Sequence, residues 1–114
     1  MPTPIAITVT ASLNTNNEPV FSYEPSGPVV VTQKSRIDYT LVDNTGKNIG
    51  FAGAAFTTPF DNIIDSVEVT PTVLSLFDTD KVVGETGFHL VFNVPGSTLL
   101  LCSPDPQVIN KERN

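Results

Sequence analysis

Apolar and polar residues alternate along most of this chain with a period of two. In "PIAITVTASL", Ile5, Ile7, Val9 and Ala11 fall on one side and Ala6, Thr8 and Thr10 on the other. That is the mark of a strand with one buried face. "SRIDYTLVDNTG" repeats the pattern, with Ile37, Tyr39 and Leu41 inward and Arg36, Asp38 and Thr40 outward. "GFHLVFNVPG" is the clearest case: Phe88, Leu90, Phe92 and Val94 share a face, and His89, Val91 and Asn93 take the other. No segment holds an apolar period near 3.6, so long helices are not expected.

Proline and glycine divide the chain at short, regular intervals, as in all-β sandwiches and barrels. "NTNNEP" turns the chain before a short strand, "VFSYEP", which "PSGP" closes. "VVVT" is continuously apolar and β-branched and reads as a central strand. "DNTGK" has the composition of a hairpin turn, Gly46 supplying positive φ, with "NIGFAGAAF" as the return strand. The glycines and alanines of that strand imply a bulge or the close approach of another backbone. "TTPFDN" is a loop, and "IIDSVEVTP" carries Val67 and Val69 on one face. Residues 72–80 fit either a strand or one helical turn. "STLLLC" pairs with the preceding strand across "VPGS", and the closing "NKERN" is polar and expected to fray. The expectation is an all-β antiparallel sandwich of seven to nine strands, immunoglobulin-like or cupredoxin-like in outline. It forms one domain over residues 1–110, with a polar tail at 111–114.

The 114 residues suffice for one domain. A single cysteine forms no internal disulfide, and no Cys/His cluster signals structural zinc. Twelve acidic and six basic residues give a net charge of -6. The basic residues are scattered, which argues against nucleic acid and anionic membrane as partners. No apolar run approaches the length of a membrane-spanning helix. The opening lacks the basic segment and unbroken apolar run of a signal peptide. With the unpaired cysteine, this leads us to expect a cytoplasmic, bacterial protein, a removed leader being the alternative.

Several residues invite a chemical reading. "LCSPDP" resembles the C-terminal ligand loop of cupredoxins, in which a cysteine, two histidines and often a methionine hold copper. Cys102 matches the ligand cysteine, but Asp105 stands where the loop histidine would be. The only histidine is His89 and the only methionine Met1, so a blue-copper site lacks its ligands. Cys102 then reads as a small buried side chain ending a strand. His89 has no recognisable nucleophile context such as Gly-x-Ser-x-Gly, which points away from an enzyme. Asp43, Asp78 and Asp80, in oxygen-rich loops, are the candidate calcium ligands, although no EF-hand pattern occurs. No cofactor is expected. Phe56 and Phe60, in "AFTTPFDN", are candidate exposed contacts, with burial under the sandwich rim as the alternative.

The dipeptides in "NNEPV", "YEPSGP" and "SPDPQ" end strands and protect sheet edges. Together with "FSYEPSGPVVV", "IDYTLVDNTG" and "CSPDPQVIN", they resemble the DP-EP family of small bacterial proteins. The resemblance spans most of the chain, implies a β-sandwich and brings no catalytic residues; it marks Asp105 as part of an Asp-Pro turn, and Asp105 joins Phe56 and Phe60 as an interaction candidate. The leading functional expectation is a non-enzymatic interaction or structural module that engages a protein partner or itself. The alternative is a small-ligand or calcium-binding protein using the acidic loops.

Overall fold

A computed structural model describes residues 3–104 and 106–111. Ten strands form two five-stranded sheets packed as a sandwich. The first sheet has the order β2-β1-β4-β7-β6. Its strands are β1 (Thr3–Leu13), β2 (Pro19–Glu24), β4 (Ser35–Asp43), β6 (Ser66–Val69) and β7 (Val73–Asp78). The second has the order β3-β10-β8-β5, with β9 also paired to β8. It comprises β3 (Val29–Val31), β5 (Gly50–Phe56), β8 (Gly84–Asn93), β9 (Leu100–Cys102) and β10 (Gln107–Asn110). No α-helix occurs among the described residues, and none is long and apolar enough to cross a membrane. A single 3-10 turn, Pro59–Asp61, interrupts the β5–β6 connection.

The core lies where the alternation puts it. Ile7, Val9 and Ala11 of β1 and Ile37 and Tyr39 of β4 face Phe88, Leu90 and Phe92 of β8, all buried. Phe92 stacks on Phe51 and Phe21, with ring centroids 5.1 and 5.4 Å away. Phe88 meets the edge of Tyr39 at 6.1 Å. Such pairs add about 0.5–1.5 kcal/mol each beyond the area they bury. Residues 72–80 include strand β7, whose Leu74, Leu76 and Asp78 point inward.

Five expectations need correction. The sheets are mixed rather than antiparallel. β1 pairs in parallel with β4 from Thr3↔Ser35 to Ala11↔Asp43, and β3 pairs in parallel with β10. Parallel neighbours arise because the chain crosses to the other sheet between them, so β4 re-enters running the same way as β1.

"VVVT" forms β3, an edge strand rather than a central one, and Val30 is 46% exposed. "DNTGK" is not a hairpin, because β4 and β5 belong to different sheets. Gly46 does take φ 74°, but the Asp43 carboxylate organises the crossing. Its oxygens accept hydrogen bonds from Thr45 N (2.9 Å), Thr45 Oγ1 (2.6 Å) and Ile49 N (3.0 Å).

The strand count is ten, not seven to nine, because β10 follows the prolines that seemed to end the ladder. Its residues pair with Gly84–Gly87 of β8. Just past β10, the Lys111 N–H donates to Val31 O at 3.0 Å.

Finally, Cys102 is exposed. Phe92 faces the core and pairs with Leu101, so the strand period turns Leu100 and Cys102 outward.

The expected irregularity in β5 is present. The register shifts between Phe51 and Gly53, and a Cβ on Gly50 would lie 3.3 Å from Pro71 Cβ.

Candidate functional site

β9 and β10 run along the same edge of β8. Residues Val91–Asn93 pair with β5 on one side and with β9 on the other, while Gly84–Gly87 pair with β10. β9 and β10 are therefore two parts of one interrupted strand, and the chain leaves the β8 edge at Ser103 and Pro104. Asp105, the aspartate of the Asp-Pro pair, lies outside the described residues.

Ser103 anchors that departure. It is buried, and its N–H donates to Leu90 O at 2.8 Å. Its hydroxyl accepts from Leu90 N at 2.9 Å and donates to Pro104 O at 3.0 Å. The hydroxyl thus takes the place a backbone carbonyl would hold in an unbroken ladder. Its carbonyl oxygen lies 2.6 Å from His89 Nδ1. A carbonyl only accepts, so Nδ1 carries the proton. Beyond Pro104 the ladder resumes, with Phe88 N donating to Pro106 O at 3.2 Å.

The other dipeptide segment comes to the same place. β2 ends at Glu24, the Glu24–Pro25 bond is cis, and Pro25–Pro28 carries the chain to β3 in the second sheet. Tyr23 Oη lies 3.5 Å from Pro104 O, at the long limit of a hydrogen bond. Between the two segments is a cavity of about 180 Å3. Tyr23, Pro25, Gly27 and Pro28 line it from one segment, and Pro106 from the other. Ile7 and Tyr39 supply its core side. A second cavity, also about 180 Å3, shares Pro25, Gly27 and Pro28 and extends to Ile5 and Val29.

Both phenols resist ionisation. Burial pushes Tyr23 up from its ordinary value; the Ser103 hydroxyl partly offsets this and the Cys102 thiol adds to it. Burial pushes Tyr39 up strongly, and neighbouring Tyr23 adds to the shift. Tyr39 is only 1% exposed, and its hydroxyl has no hydrogen-bond partner among the described residues.

The candidate metal ligands do not converge. Asp43 ends β4, whereas Asp78 pairs with Ser35 at its start. At about 3.3 Å per residue, roughly 26 Å of strand separates them. Asp78 and Asp80 are local neighbours, the Asp80 N–H donating to Asp78 Oδ1 at 2.8 Å. Asn110 Nδ2 also donates to Asp78 Oδ1, at 3.1 Å, and to Val82 O at 2.8 Å, which ties β7 to β10 across the sandwich. Among the described residues no group of three His, Cys, Asp or Glu side chains is placed to hold a metal ion.

Of the aromatic candidates, Phe56 is half-buried with its ring 5.2 Å from that of Phe88, so it belongs to the rim of the core. Phe60 is 91% exposed, on the β5–β6 connection at the opposite flank from the cavity.

Tyr23, Tyr39 and Ser103 escaped notice in the sequence as site residues. The usable signals were Tyr39 at an inward position, where a hydroxyl needs a partner, and the paired prolines.

No curated protein matches the chain. The model described as the DP-EP family matches residues 3–112. That span takes in all ten strands and both the Glu24–Pro25 and Asp105–Pro106 dipeptides, and the chain belongs to the DP-EP family.

Proposed function

We propose that the protein is a non-enzymatic interaction module whose working surface is the corner where Pro25, Gly27 and Pro28 meet Pro106. One observation carries this reading: Pro25 and Pro106, far apart in sequence, line one cavity. Loops held on a rigid sandwich are a common place for recognition. The corner also adjoins incomplete sheet edges. β2 covers β1 only from Thr8 onward, and β3 is a sheet edge, so backbone groups are available for strand addition.

The test compares three baits in parallel: the wild type, Pro28→Trp and Phe60→Ser. Pro28 is exposed beside the cavity, and tryptophan there obstructs the corner. A partner held by the wild type and Phe60→Ser but lost with Pro28→Trp supports the reading. Equal retention by all three baits refutes it. Light scattering over a concentration series shows whether the partner is a second copy of this chain.

A further inference from the structure

We infer that a separate pocket, at the other end of β2 from the proline corner, binds a medium-chain aliphatic carboxylate. The head of the guest lies at Lys47 and its chain runs along Leu13, Val94 and Leu101. β2 leads from Pro19, at this pocket, to Tyr23, at the corner, roughly 13 Å of strand away. The inference therefore stands apart from the reading of the corner.

Two connections build the pocket. Asn17 and Pro19 come from the β1–β2 turn, and Thr45 and Lys47 from the β4–β5 crossing. The Asn44 N–H ties that crossing to Ala11 O at 2.7 Å. Leu13, Ile49, Val94 and Leu101 supply an apolar wall. The pocket holds about 270 Å3. A cavity of ~150 Å3 lined by apolar side chains admits benzene, so by proportion this one takes an aliphatic chain of about eight to ten carbons.

Only one end of the pocket offers polar groups to a guest. The Thr45 hydroxyl is occupied, donating to Asp43 Oδ1 at 2.6 Å and accepting from Lys47 N at 3.1 Å. That leaves Asn17 and Lys47. Lys47 is the one charged residue among the described lining residues, it is exposed, and no carboxylate pairs with it among the described residues. The acids of the two connections are engaged elsewhere: Asp43 with the N–H groups of Thr45 and Ile49, Glu18 with the Asn14 side chain. A lysine stem lies along apolar surface and keeps its ammonium in water, within reach of a guest. That charge attracts an anionic head and repels a cationic one. A peptide carboxyl terminus brings backbone amides against an apolar wall that cannot match them, whereas an alkyl chain brings none.

The isotope-labelled full chain is titrated with octanoate, octanol and octylammonium, below micelle-forming concentrations, and followed by amide chemical shifts. We expect saturable octanoate shifts centred on Asn17, Lys47, Ile49 and Leu101, in the millimolar range typical of so few atoms, with Tyr23 and Gly27 unmoved. Affinity rises roughly two- to fourfold per carbon from butanoate to octanoate and levels off near decanoate. Lys47→Gln weakens octanoate roughly two- to fivefold and leaves octanol as it was. The Lys47 bond to Thr45 Oγ1 is made by the backbone, so this variant keeps the local structure. Pro19→Trp, at an exposed rim position, abolishes binding of both ligands.

The inference is overturned if octanoate gives no saturable shifts, or if its affinity does not grow with chain length. It is overturned equally if Lys47→Gln weakens octanoate and octanol alike, or weakens neither. Octylammonium binding as tightly as octanoate refutes the anionic head. N-acetyl-leucyl-leucine binding more tightly than octanoate refutes the aliphatic body and assigns the pocket to a chain terminus. Each of these results leaves the test of the corner, made with Pro28→Trp, unaffected.

Discussion

Ser103 and Leu90 exchange two hydrogen bonds, one through the Ser103 N–H and one through its side-chain oxygen. The second bond lets the chain leave the β8 edge at Ser103 without stranding a buried amide. Ser103→Ala removes the acceptor and leaves the Leu90 N–H unmatched in the core. The expected loss is about 1–3 kcal/mol. For a domain of this size that lowers Tm by roughly 4 °C or more per kcal/mol. Calorimetry or urea unfolding checks it, and a loss below about 0.5 kcal/mol, the noise of surface substitutions, contradicts the role given to the hydroxyl.

Two glycines in β5 should respond to alanine with opposite signs. A Cβ on Gly50 meets Pro71 Cβ at 3.3 Å and Pro71 O at 3.4 Å. The Pro71 carbonyl is itself fixed by the Phe51 N–H at 3.0 Å, so it yields poorly. Gly53, past the bulge, has nothing within 4 Å of the added carbon. Gly50→Ala therefore destabilises by about 1 kcal/mol or more through overpacking. Gly53→Ala stabilises by about 0.4–1 kcal/mol, because it restricts the unfolded chain. Matched denaturant midpoints decide the matter, and equal responses of the two variants would contradict the close approach at Gly50.

The inward faces of β1, β4 and β8 were legible because each strand buries one side, and that constraint writes itself into every second residue. Strand partners were not legible. Alternation in Ile5–Ala11 and Ile37–Leu41 says which way side chains point, but not that the two strands run parallel. β3 misled for a related reason. Three valines in a row look buried on both faces, yet a three-residue edge strand leaves Val30 in solvent at little cost. β10 was hidden by Pro104 and Pro106. Proline ends a ladder only at its own missing N–H, and here the ladder resumes one residue later. The family dipeptides could be read as turns. That Pro25 and Pro106 would meet depends on the sheet order, which no local pattern encodes.

Phe60 carries almost its whole ring into solvent at 91% exposure. Its 3-10 turn has no buried residue, and Asp61 holds the local structure by accepting from Thr58 Oγ1 at 2.9 Å and Ile63 N at 3.0 Å. Phe60→Ser removes no folded-state packing, so stability should change by less than about 0.5 kcal/mol. A loss above about 1 kcal/mol in urea unfolding would mean that the ring packs against the protein in solution.

Asp78 should make the protein less stable as pH rises. The side chain is 1% exposed, and burial pushes its carboxyl above the ordinary value. Hydrogen bonds from Asp80 N and Asn110 Nδ2 oppose the shift, while the Asp80 and Asp65 charges reinforce it. The folded state then holds this proton more tightly than the unfolded state, whose aspartate titrates near ~3.9. Stability from this group is full below that pH and declines as pH rises through the higher folded value. Asn at this position keeps an oxygen for the Asp80 and Asn110 donors and carries no charge to bury. Relative to the wild type, Asp78→Asn should therefore gain stability as pH rises from about 4 to about 7. Asp43 titrates in the opposite sense. Desolvation raises its pKa, but hydrogen bonds from the Thr45 side chain, the Thr45 amide and the Ile49 amide outweigh it and leave a net lowering. The wild-type profile mixes both contributions, so the difference between variant and wild type is the informative quantity. Urea unfolding across that pH range provides it, and parallel profiles for the two proteins would show that Asp78 ionises in the folded chain as freely as in the unfolded one.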